Sequence, residues 1–128
     1  MSCLFRSLSY SINNTNETQL RLILVDYLAQ NPVLILPDKK ASEIIVAEFP
    51  NEKFENYLEK MKNSNTWGGA IEIKAFCELF SIQVNVLVLK TKKTITFVPN
   101  KWDTQNCTVN DTRCITITWN GYHYEPIE

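Results

Sequence analysis

Hydrophobic positions recur at helical spacing in the first part of the chain. A first helix is predicted from Cys3 to about Ile12, with three hydrophobic residues at a spacing of four: Leu4, Leu8 and Ile12. Asn16 is a suitable N-cap for a second helix, and Gln19 stands where the partner of a capping box belongs. This helix ends at Pro32. Its hydrophobic stripe follows i, i+3, i+4, i+7, i+8 spacing: Leu20, Ile23, Leu24, Tyr27 and Leu28.

The middle of the chain is less regular. Residues 33 to 50 have no clear period and are expected to be mostly irregular, with one short helix at most. Asn51 is a candidate N-cap for a helix with one hydrophobic face: Phe54, Tyr57, Leu58 and Met61. The segment "AIEIKAFCELF", which follows the loop "NSNTWGG", is hydrophobic on more than one side. It is therefore predicted to be a central, largely buried helix.

From Ile82 onward the hydrophobic period changes to two. "IQVNVLVL", "TITFV" and "CITITW" are predicted to be strands, and the polar stretch 100–112 is predicted to be a long loop. Helices followed by an antiparallel sheet predict an α+β fold. At 128 residues the chain is expected to form one domain, residues 1–128.

The end of the last strand carries a hairpin signal, "WNGYHYE". With Asn120-Gly121 as a two-residue turn, Trp119 faces Tyr122 and Thr118 faces His123. Tyr122 and Tyr124 would then share the core face with Trp119. His123 and Glu125 would lie side by side on the other face, where a carboxylate can orient the imidazole.

Charge and composition narrow the function classes. The net charge of −1 gives no global field for nucleic acid or an anionic membrane, and "KTKK" is interpreted as a solvated strand end. No hydrophobic stretch approaches the length of a membrane span, and the N-terminus has no secretory leader pattern. We therefore expect a soluble cytoplasmic protein that is monomeric and binds neither nucleic acid nor membrane. Four Asn-x-Ser/Thr sequons are interpreted as accidents of an asparagine-rich chain.

The cysteines and the single histidine supply the candidate chemistry. Cys77 falls in a hydrophobic helical pattern and is expected to be buried and inert, while Cys107 and Cys114 could form a disulfide but need not. With no CxxC pair and one histidine, no metal site is expected. Cys3 stands at a predicted helix start, where a thiol pKa of about 8.5 can fall to roughly 3.5–7.5. If the fold brings His123 to it, the pair could catalyse acyl transfer; otherwise His123 is an ordinary solvated histidine.

Five segments resemble, in order, those of the OTU (ovarian-tumour) cysteine proteases: "CLFRSLSYSI", "LRLILVDYLAQNP", "FENYLEKM", "TWGGAIEIKAFCELFSIQVNVL" and "ITITWNGYHYEPI". The most specific features are C-L-F-R, W-G-G-x-I-E and the final His-Tyr-acid. The resemblance implies an α+β papain-like fold, with helices on a small, mainly antiparallel sheet. It also implies an isopeptidase that removes ubiquitin or a ubiquitin-like modifier from lysine, without a cofactor.

The resemblance also implies roles for individual residues. Cys3 matches the nucleophile and His123 the general base, and Glu125 matches the acidic or amide residue that follows two positions later. The cleft is implied to be lined by four substrate-binding residues: Trp67, Gly68, Gly69 and Tyr122. The two glycines are expected to let a Gly-Gly tail pass close to the backbone.

The sequence departs from the family pattern at three places. Met1 and Ser2 stand where the family has Asp-Gly-Asn, which leaves the backbone N–H groups of Ser2 and Cys3 as candidate oxyanion donors. A lost oxyanion donor lowers the rate by about 10²–10³-fold. Ala70 replaces a histidine without a catalytic role, and Glu125 is longer than the usual Asp or Asn. The alternatives are an impaired OTU fold that binds ubiquitin or another partner without cleavage, and a thiol hydrolase acting on an unrelated amide.

Two further substrate contacts are expected. The basic tail of ubiquitin calls for carboxylates along its channel, and the candidates are Glu48, Glu52, Asp103 and Asp111. Residues 33 to 50 are the candidate surface for the globular part of the modifier.

Overall fold

Five helices and six strands follow one another in the described part of this computed structural model, residues 3–12, 15–35, 37–100 and 114–126. The elements are α1 (Cys3–Ser9), α2 (Glu17–Ala29), β1 (Val33–Ile35), β2 (Lys39–Lys40), α3 (Ala41–Glu48), α4 (Phe54–Met61), α5 (Ala70–Phe80), β3 (Gln83–Val88), β4 (Lys93–Phe97), β5 (Cys114–Trp119) and β6 (Tyr124–Pro126). Among these residues, no helix is both long enough and hydrophobic enough to cross a bilayer.

The main sheet has the strand order β4-β3-β5-β6. β3 pairs antiparallel with β4, and β5 pairs antiparallel with β6, but β3 and β5 run parallel. The predicted α+β fold with a mainly antiparallel sheet is confirmed, and the parallel pairing of β3 with β5 at the centre of the sheet was not predicted. A parallel pair requires a long connection, and residues 89–113, which include β4, provide it.

The predicted hairpin register is wrong by two residues. Trp119 pairs with Tyr124, and Thr118 pairs with Glu125, so the connection is the four-residue segment 120–123. Asn120 explains the difference, because its Oδ1 accepts the backbone N–H groups of Tyr122 at 2.8 Å and His123 at 2.7 Å. An asparagine side chain that caps its own turn replaces the expected two-residue turn.

This register moves Tyr122 away from the core face predicted for it. Tyr122 is 71% exposed, and Trp119 instead packs on Tyr124, with 4.5 Å between ring centroids. His123 lies in the turn rather than in the β5–β6 ladder.

The predicted helices are present, but two of them begin or end at residues other than those predicted. The capping box of Asn16 and Gln19 is present, with backbone-to-side-chain hydrogen bonds of 2.8 and 3.0 Å. α1 ends at Ser9 rather than Ile12, and α4 begins at Phe54 after Lys53 rather than after Asn51. Residues 33 to 50 are more regular than expected, since β1, β2 and α3 occupy most of them.

The core forms where α5 meets its neighbours. α5 contacts α2, β1, β3 and β4, as expected of a central helix. In α2, Leu20, Leu24 and Leu28 are buried, but Ile23 of the predicted stripe is 37% exposed. The buried face turns toward Arg21 and Val25 instead, because these positions lie on the same side as Leu24 and Leu28.

Candidate active site

Cys3 is the first residue of α1, in agreement with the predicted helix start. Leu4, Phe5 and Leu8 of this short helix are buried, and α1 packs against α2 and β6. The Ser7 hydroxyl donates to the Cys3 carbonyl at 2.8 Å, and the Cys3 thiol is free and half-buried. The packing of α1 therefore fixes the thiol at the side of the molecule where β6 lies.

The loop before α5 lies directly against the start of α1. A Cβ atom added to Gly68 would lie 2.9 Å from Leu4 Cδ2 and 2.9 Å from Phe5 Cε2. A Cβ on Gly69 would have no neighbouring atom within 4 Å. Glycine is thus required at position 68 for packing on α1, a reason that the sequence analysis did not give.

His123 approaches the same loop from the other side. Its ring is stacked on that of Trp67, with 6.0 Å between centroids and 27° between planes. Burial raises the pKa of the next residue, Tyr124, and the negative charges of Cys3 and Glu72 raise it further. α1 packs against β6, which begins at Tyr124, so the helix that carries Cys3 lies beside the residue that follows His123.

Three predicted site segments therefore converge: the start of α1, the segment 67–69 and the turn at His123. Glu125 is exposed, and in the part of the chain described here its carboxylate forms no hydrogen bond with the imidazole. Its predicted role beside His123 stays a prediction. Ser2, with its expected oxyanion N–H group, lies outside the described residues.

A buried network of charged and polar side chains supports the 66–69 segment. Arg21 is 2% exposed, and its guanidinium donates to the carbonyls of Met61 and Thr66, both at 2.8 Å. The guanidinium also lies 4.2 Å from the centre of the Phe5 ring, which is a cation–π arrangement. Arg21 therefore connects α1, α4 and the loop through one side chain.

Glu72 is the second charged residue in this network, and it is 1% exposed. Its Oε1 accepts the Gly69 N–H at 2.8 Å, and its Oε2 accepts the Tyr57 hydroxyl at 2.6 Å. Burial raises the pKa of Glu72, while both hydrogen bonds and the charge of Arg21 oppose that shift. The pKa of Tyr57 is raised by burial and by the charges of Glu72 and Glu48.

Neither buried charge was predicted from the sequence, although the sequence contains a signal for each. Arg21 lies three residues before Leu24 and four before Val25, which places it on the buried face of α2. Glu72 lies between Ile71 and Ile73 in a helix with little polar surface. A charged residue on a hydrophobic helix face indicates a buried partner of opposite charge.

A cleft of about 590 Å³ adjoins the loop. Trp67, Gly68 and Gly69 line it, and the predicted carboxylates Glu48 and Glu52 lie along the same cleft. Asp103 and Asp111, the other two candidates, lie outside the described residues.

The other described cysteines differ from Cys3 in their surroundings. Cys77 is fully buried, as predicted, and burial raises the pKa of its thiol to about 12. Cys114 is half-buried with a free thiol, which accepts a hydrogen bond from Asn85 Nδ2 at 3.3 Å. Cys107, its suggested disulfide partner, lies outside the described residues.

The Cys77 thiol is expected to react with iodoacetamide at pH 8 about 10³-fold more slowly in the folded protein than in urea, because thiolate is the reacting form. Peptide mass spectrometry at successive times would measure this rate. Cys114 in the same sample is the control. Labelling of folded Cys77 as fast as that of Cys114 would contradict the burial and the raised pKa.

The Gly68→Ala variant is expected to lose about 1–3 kcal/mol in free energy of unfolding, because Leu4 and Phe5 have no room to move away. Urea unfolding would measure it. Gly69→Ala is the matched control and should stay within about 1 kcal/mol of the native protein, since its Cβ would meet no atom. Equal losses in the two variants would show that α1 does not pack on the loop as described.

Comparison with known proteins identifies the family. Residues 2–125 match the family model described as OTU-like cysteine protease, so this chain belongs to that family. The family resemblance and the α+β fold expected from the sequence are thus confirmed.

Two relatives of the chain are named ubiquitin thioesterases. The chain is 34% identical over 99 residues to "Putative ubiquitin thioesterase 232R" of Invertebrate iridescent virus 3, covering 72% of this chain and 11% of that protein. It is 25% identical over 132 residues to "Ubiquitin thioesterase OTU1" of Mus musculus, covering 99% of this chain and 33% of that protein. The chain thus spans a third or less of the length of these two relatives.

The fold also matches a solved structure described as an ovarian tumour (OTU) domain in complex with ubiquitin. The TM-score is 0.71 at 24% identity, and the match covers 98% of this chain and 62% of the other. At this identity the likeness concerns the fold.

Proposed function

We propose that this domain is a deubiquitinase, which hydrolyses the isopeptide bond between a lysine and the C-terminal glycine of ubiquitin or a ubiquitin-like modifier. The observation that carries the proposal is the convergence of α1 at Cys3, the Trp67–Gly69 loop and His123 in a chain of the OTU family. Relatives named ubiquitin thioesterases support the choice of substrate.

The chemistry follows from the two titratable groups. His123 accepts the proton of the Cys3 thiol, and the thiolate attacks the carbonyl of the modifier's terminal glycine. The tetrahedral intermediate collapses as His123 protonates the leaving lysine amine. Water, deprotonated by His123, then hydrolyses the thioester and releases the modifier with a free carboxylate.

The surroundings of His123 suit this role. Trp67 limits rotation of the imidazole by stacking on it, and Asn120 fixes the backbone of the turn through the His123 N–H. The free thiols of Cys3, Cys77 and Cys114 suit a reducing, cytoplasmic compartment.

The cleft beside the loop is proposed to receive the basic tail of the modifier. Glu48 is more available than Glu52 for this contact, because Glu52 already pairs with Lys60 at 2.9 Å. Exposed Tyr122 is proposed as a further substrate contact near His123.

The surface formed by β1, β2 and α3 is proposed to hold the globular part of the modifier. Three large hydrophobic side chains are exposed on or beside these elements: Ile35, Val46 and Phe49. Replacing all three with polar residues should weaken ubiquitin binding. Unchanged affinity would eliminate this surface.

The proposed function is tested by combining the purified domain with isopeptide-linked diubiquitin and, separately, with free ubiquitin under NMR observation. Release of monoubiquitin by the native domain supports the deubiquitinase. Binding without release supports the ubiquitin-binding alternative. Neither release nor binding, with a Cys3 that still reacts with thiol reagents, supports a thiol hydrolase for another amide.

A further inference from the structure

The buried carboxylate of Glu72 takes no part in the reaction above, yet it holds the backbone of the proposed catalytic loop. Gly69 is the N-cap of α5, and Glu72 at position N3 accepts the Gly69 N–H. This bond is one half of a capping box, because glycine has no side chain with which to form the other half. At Glu72 the carboxylate is 1% exposed, and burying a charge costs several kcal/mol unless partners compensate.

The compensating partners act on both ends of the same short loop. Arg21 holds the Thr66 carbonyl at 2.8 Å, and Glu72 holds the Gly69 N–H at 2.8 Å. Trp67 and Gly68 lie between these two fixed backbone groups. Two buried side chains of opposite charge therefore set the course of the backbone that carries Trp67.

The position of Trp67 bears directly on His123. Trp67 is 45% exposed, so the core does not fully enclose its indole, and the loop backbone must supply much of its orientation. The imidazole stacks on this indole. A shift of the loop backbone at Gly69 is therefore expected to move the Trp67 indole, and with it the imidazole that stacks on the indole.

We propose that Glu72 is a positioning residue for His123: by holding the Gly69 N–H it fixes the loop, the loop fixes the Trp67 ring, and that ring orients the imidazole. The expected effect of Glu72 on catalysis rests on the proposed function, whereas its effect on the orientation of the imidazole does not. Tyr57 belongs to the same arrangement, since its hydroxyl occupies the second carboxylate oxygen. Burial raises the pKa of Glu72 and the hydrogen bonds from Tyr57 and Gly69 lower it, so the ionised carboxylate depends on these partners.

The test uses Glu72→Gln in the whole 128-residue chain. Glutamine has nearly the same volume but one acceptor oxygen, so it cannot accept from both Gly69 and Tyr57 in the same way. Because His123 is the chain's single histidine, its imidazole proton resonances are unambiguous in NMR. Trp67→Leu calibrates the resonance position of an imidazole without the indole.

The Glu72→Gln imidazole resonances are expected to move toward those of Trp67→Leu. With diubiquitin as substrate, kcat should fall by about 10–100-fold while KM changes less than about 3-fold, because misplacement of a reacting group affects chemistry more than binding. Glu78→Gln is the matched control on the same helix. Its carboxylate pairs with Lys74 at 3.2 Å and does not contact the loop, so its imidazole resonances should stay unchanged.

Two results would overturn the inference. The first is a folded Glu72→Gln protein with native imidazole resonances, which would make Glu72 a helix cap alone. If that variant does not fold, Glu72→Asp takes its place, because the shorter side chain withdraws the carboxylate from the Gly69 N–H. Native imidazole resonances in a folded Glu72→Asp protein are the second result that would overturn the inference. Moved resonances in a chain that cleaves no diubiquitin would support the positioning role and count against the proposed function, so the two failures are distinguishable.

Discussion

The Cys3→Ala variant is expected to form no adduct with ubiquitin that carries a thiol-reactive group at its C-terminus. It should also cleave diubiquitin about 10⁴–10⁶-fold more slowly than the native chain, the range seen when a covalent nucleophile is removed. The reason is that the acyl intermediate cannot form without a sulfur at the start of α1. Intact-mass measurement of the adduct and a time course of monoubiquitin release give the two quantities.

Cys114→Ala is the matched control for this prediction. Cys114 is also half-buried and free, but it lies in β5, paired with β3 and hydrogen-bonded to Asn85. Its replacement should leave adduct formation and cleavage at the native level. An adduct that persists in Cys3→Ala and disappears in Cys114→Ala would identify Cys114 as the nucleophile and refute the proposed mechanism.

The local elements were predictable because local chemistry decides them. The capping box at Asn16 and the strand β5 are favoured by neighbouring residues alone, and both are present as expected. The parallel pairing of β3 with β5 depends on how a long connection crosses the sheet, which no local pattern specifies. The hairpin register was missed for a related reason, since both the expected turn and the Asn120 cap fit the same dipeptide.

The residues of the candidate site were predicted from the sequence, but the contacts that hold them were not. The family resemblance supplied Cys3, His123 and the Trp67–Gly69 loop, and the fold brings these segments together. It did not indicate how the loop is held. The contact of Gly68 with Leu4 and Phe5, and the pairing of backbone groups with Arg21 and Glu72, are tertiary features between residues far apart in the chain.

The importance of Arg21 can be weighed against the ordinary worth of an ion pair. Exposed pairs contribute about 0–1 kcal/mol, and Lys60 with Glu52 is of that kind. Removing one member of a buried pair costs about 3–5 kcal/mol, because the remaining charge is then stabilised neither by its partner nor by water. Arg21 is comparable to the second kind, because it and Glu72 are both at most 2% exposed and the charge of Arg21 opposes the raised pKa of Glu72.

Arg21→Met is accordingly expected to lower the free energy of unfolding by about 3–5 kcal/mol. The Thr66 and Met61 carbonyls lose their donor, and Glu72 loses the cation that opposes its desolvation. Urea unfolding at neutral pH measures the loss. The control Lys60→Met, in the exposed pair with Glu52, should cost at most about 1 kcal/mol.

The loss in Arg21→Met should also depend on pH with a definite sign. Without the cation, the folded-state pKa of Glu72 rises further above its ordinary value of 4.5, so the folded variant binds more protons than the unfolded chain. Stability then falls as pH rises through the interval above 4.5, and the deficit against the native protein shrinks on acidification. Adding Glu72→Gln to Arg21→Met should remove this pH dependence and recover part of the loss, because no buried charge is left uncompensated. A deficit below about 1 kcal/mol, or one that grows on acidification, would show that the charge of Arg21 does not stabilise the buried Glu72 carboxylate.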